Sequence, residues 1–243
     1  DEVALLKGHG AYVAVVWARD AEGHNYVLAV LPDRLQATVQ AFLQTIPAPL
    51  NATIRRVCID MWEGYAGAVV AALPNAQVVV DRFHVAVQYR NAVDELRTAE
   101  CRRLNTDRPP ERAVPTAELR PLLRREWRSL NPDQQGQVVE LFEQTPALAS
   151  AYVLRTLLTA IFDHSPDRAT ARTRLQLWTE QVKASGLSCF DKFLNMLHHW
   201  QDGILNYFEG GHTSGFVEGL NNKLKLLKRR CFGLDDPVEL FRR

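Results

Sequence analysis

Over the first hundred residues the apolar positions change period several times. Ala11–Ala18 and Tyr26–Leu31 are runs rich in Val, Ala, Tyr and Trp, joined by the turn-like Arg19-Asp-Ala-Glu-Gly23, and they predict a hairpin. From Asp33 to Ile46 the apolar residues Leu35, Val39, Phe42, Leu43 and Ile46 fall at helical spacing, and Pro47 and Pro49 close that helix. Ile54–Ile59 predicts a strand ending at Asp60, and Tyr65–Leu73 a short helix stopped by Pro74. Ala76–Val80 predicts a wholly apolar strand ending at Asp81. From His84 to about Arg103 the period is helical again. A hairpin followed by strand, helix and strand is an α/β plan with a mixed sheet.

Residues 104–210 change character: strand-like runs vanish. Glu118–Leu130, Pro132–Glu143, Ala147–Phe162, Ala169–Ser185 and Leu187–Glu209 predict successive helices. The breaks fall at Asn131-Pro132, Thr145-Pro146, Ser165-Pro166 and Ser185-Gly186. Asn105–Pro115, polar and with three prolines, is the best linker. After the flexible Gly210-Gly-His-Thr-Ser-Gly215, a helix is expected from Phe216 to about Arg230. Val217, Leu220, Leu224 and Leu227 cluster on one side of it, and Glu218, Asn222, Lys225 and Arg229 form a polar stripe on the other. The same stripe is also what the helix dipole favours, an acid in the first turn and bases near the end.

At 47% hydrophobic and 23% charged residues, the 243-residue chain has material for a packed core, which excludes a disordered or collagenous chain. The longest apolar runs fall far short of the roughly 20 residues of a membrane span. The chain opens on Asp-Glu, so no secretory leader is expected. Cys58, Cys101, Cys189 and Cys231 stand far apart with no CxxC pair, which argues against a disulfide framework or zinc cluster and suits the cytoplasm. The net charge of +1 makes no global case for nucleic acid, but its distribution is uneven. Residues 223–230 read KLKLLKRR, with five basic residues in eight, while residues 1–100 carry 11 acidic against 8 basic side chains. Such a run is also what a solvated helix face looks like. Beside an acidic segment it suits a protein that grips phosphate with one surface and holds metal with another.

Asp60 and Asp81 each end an apolar strand, where a loop can expose a carboxylate or merely make a turn. Two divalent cations about 3.5–4 Å apart need several converging carboxylates, and spacing alone leaves open whether these acids converge. Trp127, Trp178 and Trp200 are read as core residues before base-stacking ones. His198 and His199 are adjacent on a helix and so point apart, which favours a structural role. Lys7 and His9 are weaker candidates for DNA contact, and Ser214 has no evident base partner.

Four stretches, in order, resemble one family: Asp1-Glu-Val-Ala-Leu-Leu-Lys-Gly-His9, Val57-Cys-Ile-Asp-Met-Trp-Glu-Gly-Tyr65, Leu73-Pro-Asn-Ala-Gln-Val-Val-Val-Asp-Arg-Phe-His84 and Val217-Glu-Gly-Leu-Asn-Asn-Lys-Leu-Lys225. They are similar to the DDE transposases of bacterial insertion sequences, specifically the ISL-three group. The resemblance implies an RNase H-like α/β fold, a mixed sheet with helices and an all-helical insertion before the last catalytic helix. Residues 1–103 would be the first part of the core, 104–210 the insertion, and 211–243 the catalytic helix that completes the core.

By the same resemblance Asp1, Asp60 and Glu218 are the catalytic acids and the ligands of two Mg²⁺ ions, with Mn²⁺ as a substitute. Asp81 and His84 match a further motif and are read as a supporting shell or alternative ligand. Asn222, Lys225, Lys228, Arg229 and Arg230 are the inferred grip on the DNA backbone. The implied activity is metal-dependent cleavage of DNA at element ends and strand transfer to a target. The implied setting is a homo-oligomer on DNA in the bacterial cytoplasm, at the nucleoid, with no membrane involved.

Two departures from the family pattern bear on this. With the chain beginning at Asp1, most of the first strand and an upstream DNA-binding region are expected to be missing. Thr213-Ser214-Gly215 stands where Thr-Asn-Gly is common, and Ser can also cap a helix. The missing strand motivates an alternative, a catalytically inactive transposase-derived DNA-binding or assembly module.

Overall fold

The computed structural model describes residues 2–4, 12–106 and 116–210. They form a mixed α/β structure, mostly helical, in two compact units, one holding residues up to Asp81 and the other Arg82–Glu209.

In the first unit, β1 (Glu2–Ala4), β2 (Tyr12–Arg19) and β3 (Asn25–Leu31) make an antiparallel sheet in the order β1-β2-β3. Val13, Ala14 and Val15 are buried, as β-branched and small residues on a covered strand should be. The hairpin turn is closed by Asp20, whose carboxylate accepts from the His24 backbone N–H (2.7 Å) and the Tyr26 hydroxyl (3.0 Å). Gly23 takes the positive φ of 90° that the turn requires. Helix α1 (Gln36–Gln44) buries Val39 and Leu43, two of the residues whose spacing predicts it. Pro47 does not simply end the chain's helical path but starts a single further turn, α2 (Ala48–Asn51). From there Asn51 donates through Nδ2 to the Ala72 carbonyl at 3.0 Å.

Strand β4 (Arg56–Ile59), helix α3 (Glu63–Ala72) and strand β5 (Gln77–Val80) follow. The two strands pair in parallel, and α3, the crossover, packs along α1. Sequence pattern suggests one mixed sheet. Among the described residues the strands instead form two small sheets, because no hydrogen-bonded ladder joins β4 to the antiparallel trio.

The helical unit begins with α4 (Arg82–Asn105). It continues through α5 (Thr116–Leu123), α6 (Pro132–Gln144), α7 (Pro146–His164), α8 (Arg168–Ala184), α9 (Asp191–His199) and α10 (Gln201–Asn206). Three of the four expected breaks have a local cause. Asn131 and Gln134 form a reciprocal capping box before α6, Asp167 caps α8 through the Thr170 N–H, and Gly186 takes φ 68° after α8.

Two expected helices are shorter than their apolar periods suggest. Glu118–Leu130 is helical only to Leu123 and ends in a 3₁₀ turn at Trp127–Ser129. Leu187–Glu209 divides into a 3₁₀ turn (Ser188–Phe190), α9, α10 and a last 3₁₀ turn (Tyr207–Glu209). Tyr89 of α4 stacks on Phe190 with ring centroids 4.9 Å apart and meets Trp178 and Phe193 edge-on or tilted. Its hydroxyl donates to the Ala151 carbonyl at 2.6 Å, and Trp178 Nε1 donates to the Leu154 carbonyl at 2.8 Å. A second cluster gathers Leu119, Leu122, Leu130, Val138, Leu141 and Leu148.

Candidate active site

The site is built from the carboxyl ends of the two parallel strands, which is where open α/β sheets present ligand-binding loops. The pairing sets Arg56 against Gln77, Val57 against Val78, Cys58 against Val79 and Ile59 against Val80. The ladder goes one bond further, for the Asp81 backbone N–H donates to the Ile59 carbonyl at 3.2 Å. The same bond type joins Gln77 to Arg55 at the start of the pair, at 2.9 Å, so the register is kept from end to end. Asp60 and Asp81 are therefore the next pair in register, on strands that lie about 4.8 Å apart. Two strand-end acids that sequence treats as separate features are neighbours.

Their surroundings differ. Asp81 is one of two buried polar residues in the described part, 3% exposed, immediately ahead of α4. Asp60 is half-buried, with its Oδ1 out of contact with solvent. The apolar strands explain the placement: Ile59, Val79 and Val80 are buried and anchor the backbone just before each acid. Carboxylates in neighbouring register can share one cation. Hard carboxylate oxygens are the donors Mg²⁺ prefers, so the pair suits a divalent cation. Among the described residues no group of three or more His, Cys, Asp or Glu side chains gathers with metal-binding geometry.

The remaining candidates divide in two. Asp1, Glu218, Asn222, Lys225, Lys228, Arg229 and Arg230 lie outside the described residues, as do Lys7, His9 and Ser214. His84 is half-buried on the first turn of α4, with its ring edge-on to Phe83 at 5.5 Å. Arg82, between Asp81 and His84 in the motif, is engaged within the helical unit. It pairs with Asp163 at 2.8 Å and donates to the Tyr207 hydroxyl at 3.5 Å. Trp178 is a core residue as expected, whereas Trp127 is 39% exposed, because its segment is a short 3₁₀ turn and not the continuous helix that would bury it.

One arrangement involving Trp62, two residues beyond Asp60 in sequence, carries no signal in the sequence. The Arg34 guanidinium carbon sits 4.6 Å from the Tyr12 ring centroid and 4.4 Å from that of Trp62. Trp62 precedes α3 and lies against Gly64, where an added Cβ would come within 2.7 Å of the indole Nε1. Three separate stretches of chain supply this stack, so no local pattern announces it.

A mixed α/β chain with paired acids at parallel strand ends is the kind of protein in which the four sequence motifs gain meaning. The family model of ISL3-type DDE transposases, described as transposase, matches residues 1–243, and the chain belongs to that family. It is 34% identical over 242 residues to the transposase for insertion sequence element IS1001 of Bordetella parapertussis, covering 99% of this chain and 58% of that protein. It is 24% identical over 259 residues to the transposase for insertion sequence element IS1557 of Mycobacterium tuberculosis, covering 99% and 57%. The chain thus spans less than two thirds of the length of either relative. No solved structure matches it. Among the described residues no helix is long and apolar enough to cross a membrane.

Proposed function

We propose that this chain is the phosphoryl-transfer part of an insertion-sequence transposase, which cuts DNA at the element's ends and joins those ends to a target. The observation that carries the reading is the register of Asp60 and Asp81 at the ends of two paired parallel strands, in a chain of the transposase family. In this reading β1–β3 and the β4–β5 pair belong to one RNase H-like core. Residues 1–103 are its first part, residues 104–210 a helical insertion, and residues 211–243 bring Glu218 to the acids.

Asp1, Asp60 and Glu218 would hold the divalent cations, with Asp81 as support or alternative ligand. Bound Mg²⁺ or Mn²⁺ supplies an activated water or 3′-hydroxyl and charge stabilisation at the departing oxygen. The protein's own part is arrangement. The anchored strand ends fix Asp60 and Asp81 in neighbouring register, so these two residues would need little reorganisation to hold a cation. Asn222, Lys225, Lys228, Arg229 and Arg230 hold the DNA backbone, which positions the duplex without reading its sequence. No side chain becomes covalently attached to DNA. The partners are the element's terminal repeats, the target DNA and a second copy of the protein, and the setting is the bacterial cytoplasm at the nucleoid.

The test uses the intact protein and a supercoiled plasmid carrying the element's terminal repeats. Wild-type protein is expected to cut and join only with Mg²⁺ or Mn²⁺. Asp60→Asn and Glu218→Gln are expected to stay folded and bind DNA while losing cleavage by about a thousandfold, or ~4 kcal/mol of barrier. DNA binding that is equal with and without metal, and no cleavage by wild type, would overturn the reading in favour of an inactive binding module. Cutting without joining would make the protein a nuclease.

A further inference from the structure

We propose that the helical unit carries a DNA-backbone contact of its own, centred on Arg128 in the Trp127–Ser129 turn; this rests on the DNA-cleaving reading above. The turn belongs to a group of arginines tied together by bonds. Arg120 of α5 and Arg124, just past its end, both pair with Asp94 of α4. Arg155 of α7 places its guanidinium carbon 4.5 Å from the Tyr152 ring centroid and donates to the carbonyls of Leu123 and Arg125, both at 2.7 Å. Arg125 donates to the Gln134 side chain at 3.1 Å, to the Ser129 hydroxyl at 3.3 Å and to the Ser129 carbonyl. Arg128 is exposed, and among the described residues its side chain has no hydrogen bond, ion pair or ring contact.

These positive charges are not balanced within the unit. Arg120 and Arg124 share one carboxylate, while Arg125 and Arg155 bond only neutral oxygens and Arg128 bonds none. Along residues 119–134 the acids are Glu126 and Asp133 alone. Like charges gathered in this way repel one another, and the fold gains nothing from the surplus. A phosphate backbone supplies the missing negative charge, and its repeating phosphates can meet several arginines at once. Arg128 keeps its whole donor fork, whose planar geometry matches two oxygens of a phosphodiester. The backbone beneath it is already set. Ser129 Oγ donates to the Glu126 carbonyl at 2.8 Å, and Gln135 Nε2 donates to the carbonyls of Trp127 (3.2 Å) and Leu130 (3.3 Å). Only the freedom of the Arg128 side chain is therefore given up when DNA binds. The turn is also open to solvent, with Trp127 39% exposed.

The experiment uses the intact protein with a fluorescein-labelled 30-base-pair duplex of arbitrary sequence, titrated in EDTA at several salt concentrations. Arg128→Gln is expected to flatten the slope of log affinity against log salt by about 0.9, the loss of one phosphate contact, with an unchanged melting temperature. Arg128→Lys keeps the charge and is expected to keep the wild-type slope. Arg172→Gln removes an equally exposed arginine from α8, one that pairs with Asp202, and is expected to leave the slope unaltered. A wild-type slope in Arg128→Gln overturns the proposal. So does an equal flattening in Arg172→Gln, which would reflect total charge and not this turn, or a flattened slope in Arg128→Lys. If Arg128→Gln misfolds by circular dichroism, Glu126→Gln decides. Removing that carboxylate from the turn is expected to tighten binding about threefold at low salt, and unchanged affinity overturns the proposal. Those results leave the transposase reading standing, provided that wild type binds and that Asp60→Asn abolishes nicking of supercoiled plasmid in Mg²⁺. Wild type that neither binds nor nicks overturns both.

Discussion

At the scale of single residues, Asp94 shows how an acid is used to hold the fold together. Asp94 on α4 accepts from Arg120 of α5 (2.8 Å) and from Arg124, just past the end of that helix, and also pairs with Arg97 at 3.5 Å. Burial pulls its carboxyl upward, but the hydrogen bonds and charges of Arg120 and Arg124 outweigh that and hold it below the ordinary carboxylate range. Because the folded value lies below the unfolded one of about 3.9, this group stabilises the fold above about pH 4. That contribution is lost as pH falls through the folded value. Asp94→Asn is expected to cost about 1–2 kcal/mol at neutral pH, discounted because the arginines are partly exposed. Denaturant melts from pH 3 to 7 should show a shallower acid limb in the variant; an unchanged limb would contradict the assignment. The strand-end acids show what sequence conveys at this scale. Each is visible as an acid closing an apolar run, but that Asp60 and Asp81 stand side by side depends on which strands pair, a non-local fact. The Arg34 stack is hidden for the same reason.

At the scale of elements, most boundaries were legible because they are set by local chemistry. Asn131, Asp167 and Gly186 act within a few residues of themselves, whereas the early end of α5 at Leu123 was not anticipated. The breaks within Leu187–Glu209 were not legible. The chain leaves the α path near Trp200 with no proline there, and the apolar residues Phe193, Leu197, Ile204 and Leu205 remain buried on both sides. A periodic pattern therefore runs straight through the interruption. The capping box gives a direct check. Asn131→Ala removes the acceptor for the Gln134 N–H, held at 2.9 Å, while the reciprocal bond from the backbone N–H of residue 131 to Gln134 Oε1 keeps its donor. A loss of about 0.5–2 kcal/mol is expected in equilibrium unfolding, and Asn131→Asp should restore most of it.

At the scale of the whole molecule, the class α/β with a run of helices after the strands followed from the switch in period near residue 104. The family followed from four motifs that are spread almost end to end. Metal linkage provides a test of the whole protein that does not require catalysis. If Asp60 helps hold a divalent cation in the folded state only, Mg²⁺ at ten times its dissociation constant adds about 1.4 kcal/mol to stability. Thermal melts should therefore rise by a few degrees with Mg²⁺ and fall back with EDTA. The same titration of Asp60→Asn should show a much smaller rise, and an equal rise would remove Asp60 from the ligand set.

The bond from the Asp81 amide to the Ile59 carbonyl gives that amide a further use, as an isotopic clock. Protons held in a buried ladder trade with heavy water only when the ladder opens, so its deuterium uptake times the parting of β4 from β5. Uptake at Asp81 should be much slower than at exposed turn amides such as that of Ala21.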